Sequence, residues 1–253
     1  MATPTFPTSG TTAFSLDVVH LAEEAWERCG VEIRSGYDLR TARRSLSLMF
    51  LEWANRGYNL WTVDGPYSIT LIPGQATYNL PADTIDLIDH VIRTGVIGSA
   101  GQSDLNITRI SLPTYLTIPN KLAQGRPIQV WINRQGAQNN SATSGPPGFV
   151  TGIQFPQITV WPIPDASQTW AFVYYRLRQI QDADGGASGQ DLPARFLPVA
   201  VAGLAYYLAM KIPEAFPRLQ FLKSVYDEAW ESAATEDREK ASVRLVPRLS
   251  FTR

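Results

Sequence analysis

The stretch DLRTARRSLSLMFLEWANRGYNLWTVDGPYSITLI, residues 38–72, changes its period partway along. In its first half Leu39, Ala42, Leu46, Met49, Phe50 and Trp53 recur at three- and four-residue steps, the spacing of one face of an α-helix. Arg40, Arg43, Arg44 and Glu52 fall largely off that stripe, and Gly57 marks its end. From Tyr67 onward apolar and polar residues alternate, the pattern of a half-buried strand. A helical segment therefore hands over to a β region between these points.

Upstream, Val18, Ala22, Ala25, Trp26 and Cys29 predict an earlier helix, with Ser15 as its N-cap and Gly30 where it stops. Residues 1–12 form a Pro/Thr/Ser/Gly arm with too few apolar groups to order itself. Downstream, YSITLI, ATYNL, TIDLIDHVI, NITRISL, IQVWINR, FVTGIQF, QITVW and TWAFVYYRL read as strands separated by turn-rich segments. Pro147, Pro156 and Pro162 belong at strand ends or edges, and so many short runs suggest a sandwich or barrel. QDADGGASGQD, residues 181–191, reads as a flexible return loop whose Asp191 caps a helix carrying Leu197, Ala200, Val201, Leu204, Ala205 and Leu208. Pro198 kinks that helix or delays its start. Pro213 and Pro217 set it apart from a last helix with Leu219, Leu222, Tyr226, Ala229, Trp230 and Ala233 on one face.

Neither terminal helix pair has an evident partner of its own, so burial is most economical if all four pack together. The expected fold class is α+β: a discontinuous bundle of about four helices with an inserted antiparallel β-sandwich or barrel and an extended C-terminal tail. The expected divisions are the arm at 1–12, bundle segments at 13–62 and 191–238, the β insertion at 63–190 and the tail at 239–253.

Composition narrows the function classes. A hydrophobic content of 44% over 253 residues suits a packed core, while 18% charged residues and a net charge of −1 give no sign of tight nucleic-acid binding. The single cysteine, Cys29, excludes an intrachain disulfide and any cysteine-rich metal site, in keeping with a reducing cytoplasm. The N-terminus lacks a basic segment followed by an apolar one, and Phe196–Met210 falls short of the roughly 20 residues a bilayer span needs. A soluble, unexported protein without a membrane partner is expected.

Catalytic constellations are not evident: there is no HExxH, paired CxxC, GxSxG or phosphate loop. His20 and His90 read as packed or surface histidines, and Cys29, before Gly30, as a small buried thiol. Asp182, Asp184, Gly185 and Asp191 faintly resemble a calcium loop but lack its full alternation of oxygen ligands and its closing glutamate. No metal, cofactor or small-molecule substrate is expected. Trp131, Trp161, Trp170, Tyr174 and Tyr175 have the chemistry of a sugar platform, although strand aromatics more often fill a core or a subunit contact. Arg40, Arg43 and Arg44 fit surface salt bridges or a subunit interface better than a DNA site. In the final segment Arg244, Arg248 and Arg253 alternate with Val243, Leu245, Val246, Leu249 and Phe251, apolar residues with no core of their own to enter. About 13 extended residues at roughly 3.3 Å each span on the order of 40 Å, enough to reach into a neighbouring protein.

Four segments, in order, carry a resemblance: DLRTARRSLSLMFLEWANRGYNLW, PTYLTIPNKLAQGRPIQVWINRQ, QITVWPIPDASQTWAFVYYRLRQIQDADG and LPARFLPVAVAGLAYYLAMK. Together they span most of residues 15–235, and they resemble the head-to-tail adaptor (connector) family of tailed bacteriophages, the group that includes the tail-tubular-protein-A-like proteins of short-tailed phages. The resemblance implies a structural protein, not an enzyme, with about twelve copies in a ring. That ring binds the portal protein above and a tail or nozzle protein below, and double-stranded DNA passes through its lumen without sequence-specific contact. Such a protein belongs to the virion and is assembled in the host cytoplasm. The tail residues Arg244, Leu245, Val246, Arg248, Leu249, Phe251 and Arg253 are similar to adaptor tails that reach into the portal. The alternatives are another ring or baseplate component, and a carbohydrate-binding β module on a helical stem.

Overall fold

The computed structural model describes residues 14, 16–32, 36–57, 60–95, 98, 100–134, 155–183 and 189–238. Five α-helices occur among them: α1 (Val18–Cys29), α2 (Gly36–Asn55), α3 (Leu112–Leu116), α4 (Leu197–Ala209) and α5 (Leu219–Glu236). The chain forms two compact units, one drawn from both ends of the sequence and one from Trp61–Ile180 between them. The fold is α+β, as the change of period predicts.

In the helical unit α4 is the hub. Its sequence LPVAVAGLAYYLA is apolar nearly all round, and a helix without a polar face has to be enclosed. Helices α1, α2 and α5 enclose it, each through the stripe that periodicity predicts. Gly203 explains how closely they approach. A Cβ there would lie 2.4 Å from Met49 Sδ on α2 and 2.7 Å from a Tyr226 ring carbon on α5, so only glycine lets both neighbours pack against α4.

Trp53, fully buried, ties the elements together. Its indole Nε1 donates to Tyr226 Oη at 2.7 Å, and its ring packs on Phe50, Phe196 and Trp230. Glu52 accepts from Tyr207 Oη at 2.9 Å and pairs with Arg56, whose guanidinium lies over the Tyr226 and Trp230 rings. Tyr226→Phe is expected to strand the Trp53 indole N–H in an apolar site at a cost of about 1–3 kcal/mol. Chemical denaturation of the two proteins side by side reads that difference, and equal midpoints would contradict it.

Several local expectations need correction. Helix α1 is capped by Asp17, whose carboxylate accepts from His20 N at 2.8 Å; Ser15 lies outside the described residues. Gly30 does end α1, in the left-handed conformation at φ 79°. Asp191 does not cap α4. Its carboxylate accepts from Gln181 N, and α4 starts at Leu197 with Pro198 in the first turn, where a missing N–H costs nothing. A 3-10 turn over Ala194–Phe196 precedes it, and another over Pro213–Arg218 separates it from α5. The described part of the return segment from Gln181 joins the helical unit: Ala183 is buried there and its carbonyl accepts from Arg43 Nε at 2.6 Å.

The second unit holds ten strands among its described residues: β1 (Val63–Leu71), β2 (Thr77–Asn79), β3 (Thr84–Thr94), β4 (Ser103–Asn106), β5 (Thr108–Ile110), β6 (Gln124–Gly125), β7 (Gln129–Asn133), β8 (Gln157–Trp161), β9 (Ile163–Pro164) and β10 (Trp170–Arg178). One sheet, in the order β1-β10-β3-β4, is antiparallel throughout. The other runs β2-β8-β7-β5, and β6 pairs with β9 separately. Alternate residues of both larger sheets, including Tyr78, Ile92, Val130, Ile158 and Phe172, meet in one core, which makes the unit a sandwich; no closed barrel occurs among the described residues. Two pairings, β5 with β7 and β6 with β9, are parallel, a departure from the antiparallel expectation. NITRISL is also two strands, not one: the chain leaves the first sheet after Asn106, buries Ile107, and enters the second at Thr108. FVTGIQF lies outside the described residues apart from Phe155.

Candidate assembly surfaces

On α2 the residues opposite the core are as regular as those facing it. A rotation of about 100° per residue places Tyr37, Arg40, Arg44, Leu48 and Leu51 on one stripe, all exposed. Leu48 is 53% exposed and Tyr37 64%, so large apolar groups flank the two guanidinium groups along the stripe. Arg43, one step round the helix, turns to Ala183 of its own chain. Sequence reasoning singles out the arginines and misses Tyr37, Leu48 and Leu51. Their signal is a second apolar phase in the same helix, half a turn from the first.

On α1 the exposed stripe is His20, Glu23, Glu24 and Glu27. Glu24 pairs with Arg28 at 2.9 Å, and His20 lies 3.1 Å from the capping Asp17. These acidic residues border a groove of about 900 Å³ whose apolar lining is Phe14, Leu16, Leu197, Pro198 and Val201. The helical unit thus carries one basic and apolar ridge and one acidic and apolar groove.

In the β unit the tryptophans of the second sheet are engaged by their own chain. Tyr115 of α3 stacks on Trp131 at 5.6 Å, with Lys121 over the Tyr115 ring, and Trp161 donates to Asn120 O at 2.9 Å. Trp170 and Tyr174 are core, Trp131 and Trp161 are half-buried, and of the five aromatics considered for sugar binding only Tyr175 is exposed. They form no shared open platform. Leu112, Leu116, Leu122 and Ile128 stand exposed along the segment around α3.

The groups with conceivable chemistry are occupied structurally. Cys29 is buried, its thiol donates to Ala205 O at 3.3 Å, and burial pushes it up to about 11, far from a reactive thiolate. His90 stacks on Phe172, and burial holds its imidazole below the ordinary histidine range. Asp182 is exposed on the return segment, while Asp184 and Gly185 lie outside the described residues. No cluster of three or more metal-ligating side chains occurs among the described residues, and none of their helices is long and apolar enough to cross a membrane. Arg244, Leu245, Val246, Arg248, Leu249, Phe251 and Arg253 also lie outside the described residues.

Comparison with known families places this architecture. The family model described as SU10 adaptor protein matches residues 29–248, which takes in the whole β unit and the helical unit from the end of α1 to residue 248. The chain belongs to that family. The resemblance to phage head-to-tail adaptors drawn from four sequence segments is borne out at this level, and all four segments lie wholly within the matched region. No curated protein matches the adaptor.

Proposed function

We propose that this adaptor is a non-enzymatic component of a tailed-phage virion whose copies, about twelve, close into a ring between the portal and the tail. The observation that carries the reading is the adaptor-family match, which runs across the helical unit and the β unit alike. The ring continues the DNA channel, helps to retain packaged DNA, and meets a tail or nozzle protein on its far side. A chain with net charge −1 suits a lumen along which DNA slides, because each additional phosphate neutralised would tighten the grip and make it more salt-dependent. Assembly takes place in the host cytoplasm, without cofactor or small-molecule substrate.

The portal contact falls to the C-terminal segment. Arg244, Leu245, Val246, Arg248, Leu249, Phe251 and Arg253 alternate charge with apolar bulk, a pattern that suits strand addition or groove binding, with backbone groups bonded and alternate side chains in pockets. Arg40 and Arg44, with Arg43 beside them, belong to the contact between subunits. Removing Glu239–Arg253 is expected to leave the melting temperature unchanged and to abolish capture by immobilised portal protein; undiminished capture would refute the docking role of the segment.

A further inference from the structure

The two unlike surfaces of the helical unit fit each other. The geometry points to a contact between neighbouring copies in which the outer ridge of α2 on one copy seats in the α1/α4 groove of the next; this rests on the ring reading above and names the surfaces that close it. The occupant is a second copy of this chain, which matches the groove in charge and shape. Arg40 and Arg44 are exposed on the ridge, and Glu23 and Glu27 are exposed on the rim of the groove. Two arginines one helical turn apart face two glutamates at the same spacing, since both pairs are four residues apart on a helix.

The apolar parts correspond as well. Leu48 and Leu51 lie one and two turns beyond Arg44 on the ridge, while Leu197, Pro198 and Val201 line the groove beside the glutamates. Burying exposed leucines supplies the non-directional part of such a contact, and the charges set its register and exclude the like-with-like alternatives. Helices α1 and α2 both turn their inner faces to α4, so ridge and groove are separate patches of one unit. A contact between two different patches is heterologous, the kind that builds a ring when the rotation between copies closes, rather than a two-fold dimer.

Charge reversal tests this with the full-length chain. Arg40→Glu with Arg44→Glu gives a copy with two acidic surfaces, and Glu23→Lys with Glu27→Lys gives one with two basic surfaces. Each variant alone is expected to lose assembled species by about tenfold or more at a concentration where wild type assembles, alone or on its cognate portal protein, as read by mass photometry. Mixed in equal amounts, each supplies the surface the other lacks, so assembly returns; that rescue also shows that both variants are folded. Rings of wild type together with undiminished assembly of either single variant would overturn the inference while leaving the ring reading intact. Assembly lost on deleting residues 239–253 but insensitive to both reversals would overturn it too. Wild type that stays monomeric both alone and on portal protein would overturn the ring reading and this contact with it.

Discussion

Leu46→Asp is expected to abolish cooperative folding of the helical unit. Leu46 is fully buried on the face of α2 that packs against α4, a helix with no polar side to offer a carboxylate. An unpaired charge there either stays ionised without solvation or takes up a proton and still buries an unmatched hydroxyl; either route costs more than about 4 kcal/mol, a large part of the stability of an ordinary domain. Leu48→Asp, two residues along on the exposed ridge, is the matched control. Its expected effect on stability is within about 0.5 kcal/mol, because the side chain already faces water. Far-ultraviolet circular dichroism with thermal melting separates the two, and a normal melt for Leu46→Asp would overturn the assignment of the core face.

The second large effect belongs to the β unit. Arg176, on β10, is only 6% exposed and is held by Asp83 and Asp64, by Thr84 Oγ1 at 3.1 Å, and by the face of Tyr67. Breaking a buried ion pair from one side costs about 3–5 kcal/mol. Here the side chains of Asp64 and Asp83 keep 34% and 48% of their exposure and recover hydration, so Arg176→Ala is expected to cost about 2–3 kcal/mol. The pH dependence has a definite sign. The Tyr67 hydroxyl, and after it Arg176, hold the Asp64 carboxyl below the usual carboxylate range. Its contribution is therefore complete above the unfolded aspartate value of about 3.9 and is lost as pH falls through the depressed folded value. Denaturation midpoints near neutrality and below pH 4 check both statements: the gap between wild type and Arg176→Ala should narrow in acid. A variant as stable as wild type at neutral pH would show that the ion pairs contribute nothing.

What was legible in the sequence follows from how local its cause is. The inner face of α2 could be read because one helix carries the whole signal in its own spacing. The same holds for Gly30, whose left-handed turn is a property of a single residue. The split of NITRISL is marked in the sequence only by a one-residue slip of the alternation between Ile107 and Ile110, and such a slip does not say which strand either half pairs with. The parallel pairing of β5 with β7 is invisible for the same reason. Asp191 has the residue type of a cap, yet Pro198 fixes the start of α4 at Leu197, six residues further on, and the carboxylate serves the return segment instead.

The assembly surfaces divide along the same line. The arginines of α2 stand out by charge, whereas the leucines beyond them do not, because a single exposed leucine carries no information. Only the helix geometry shows Tyr37, Leu48 and Leu51 in line with Arg40 and Arg44, and only the packing of α1 on α4 turns scattered glutamates into the rim of a groove. Arg43 illustrates the converse, since its place in the sequence cluster is equivalent but its guanidinium serves Ala183 of its own chain.

The central claim is that copies of this adaptor form a ring that joins the portal to the tail. Electron microscopy with light scattering on the purified protein, alone and mixed with its cognate portal protein, tests it most directly. The account predicts rings that form in solution or stack on the portal. A protein that remains monomeric and ignores the portal would contradict it.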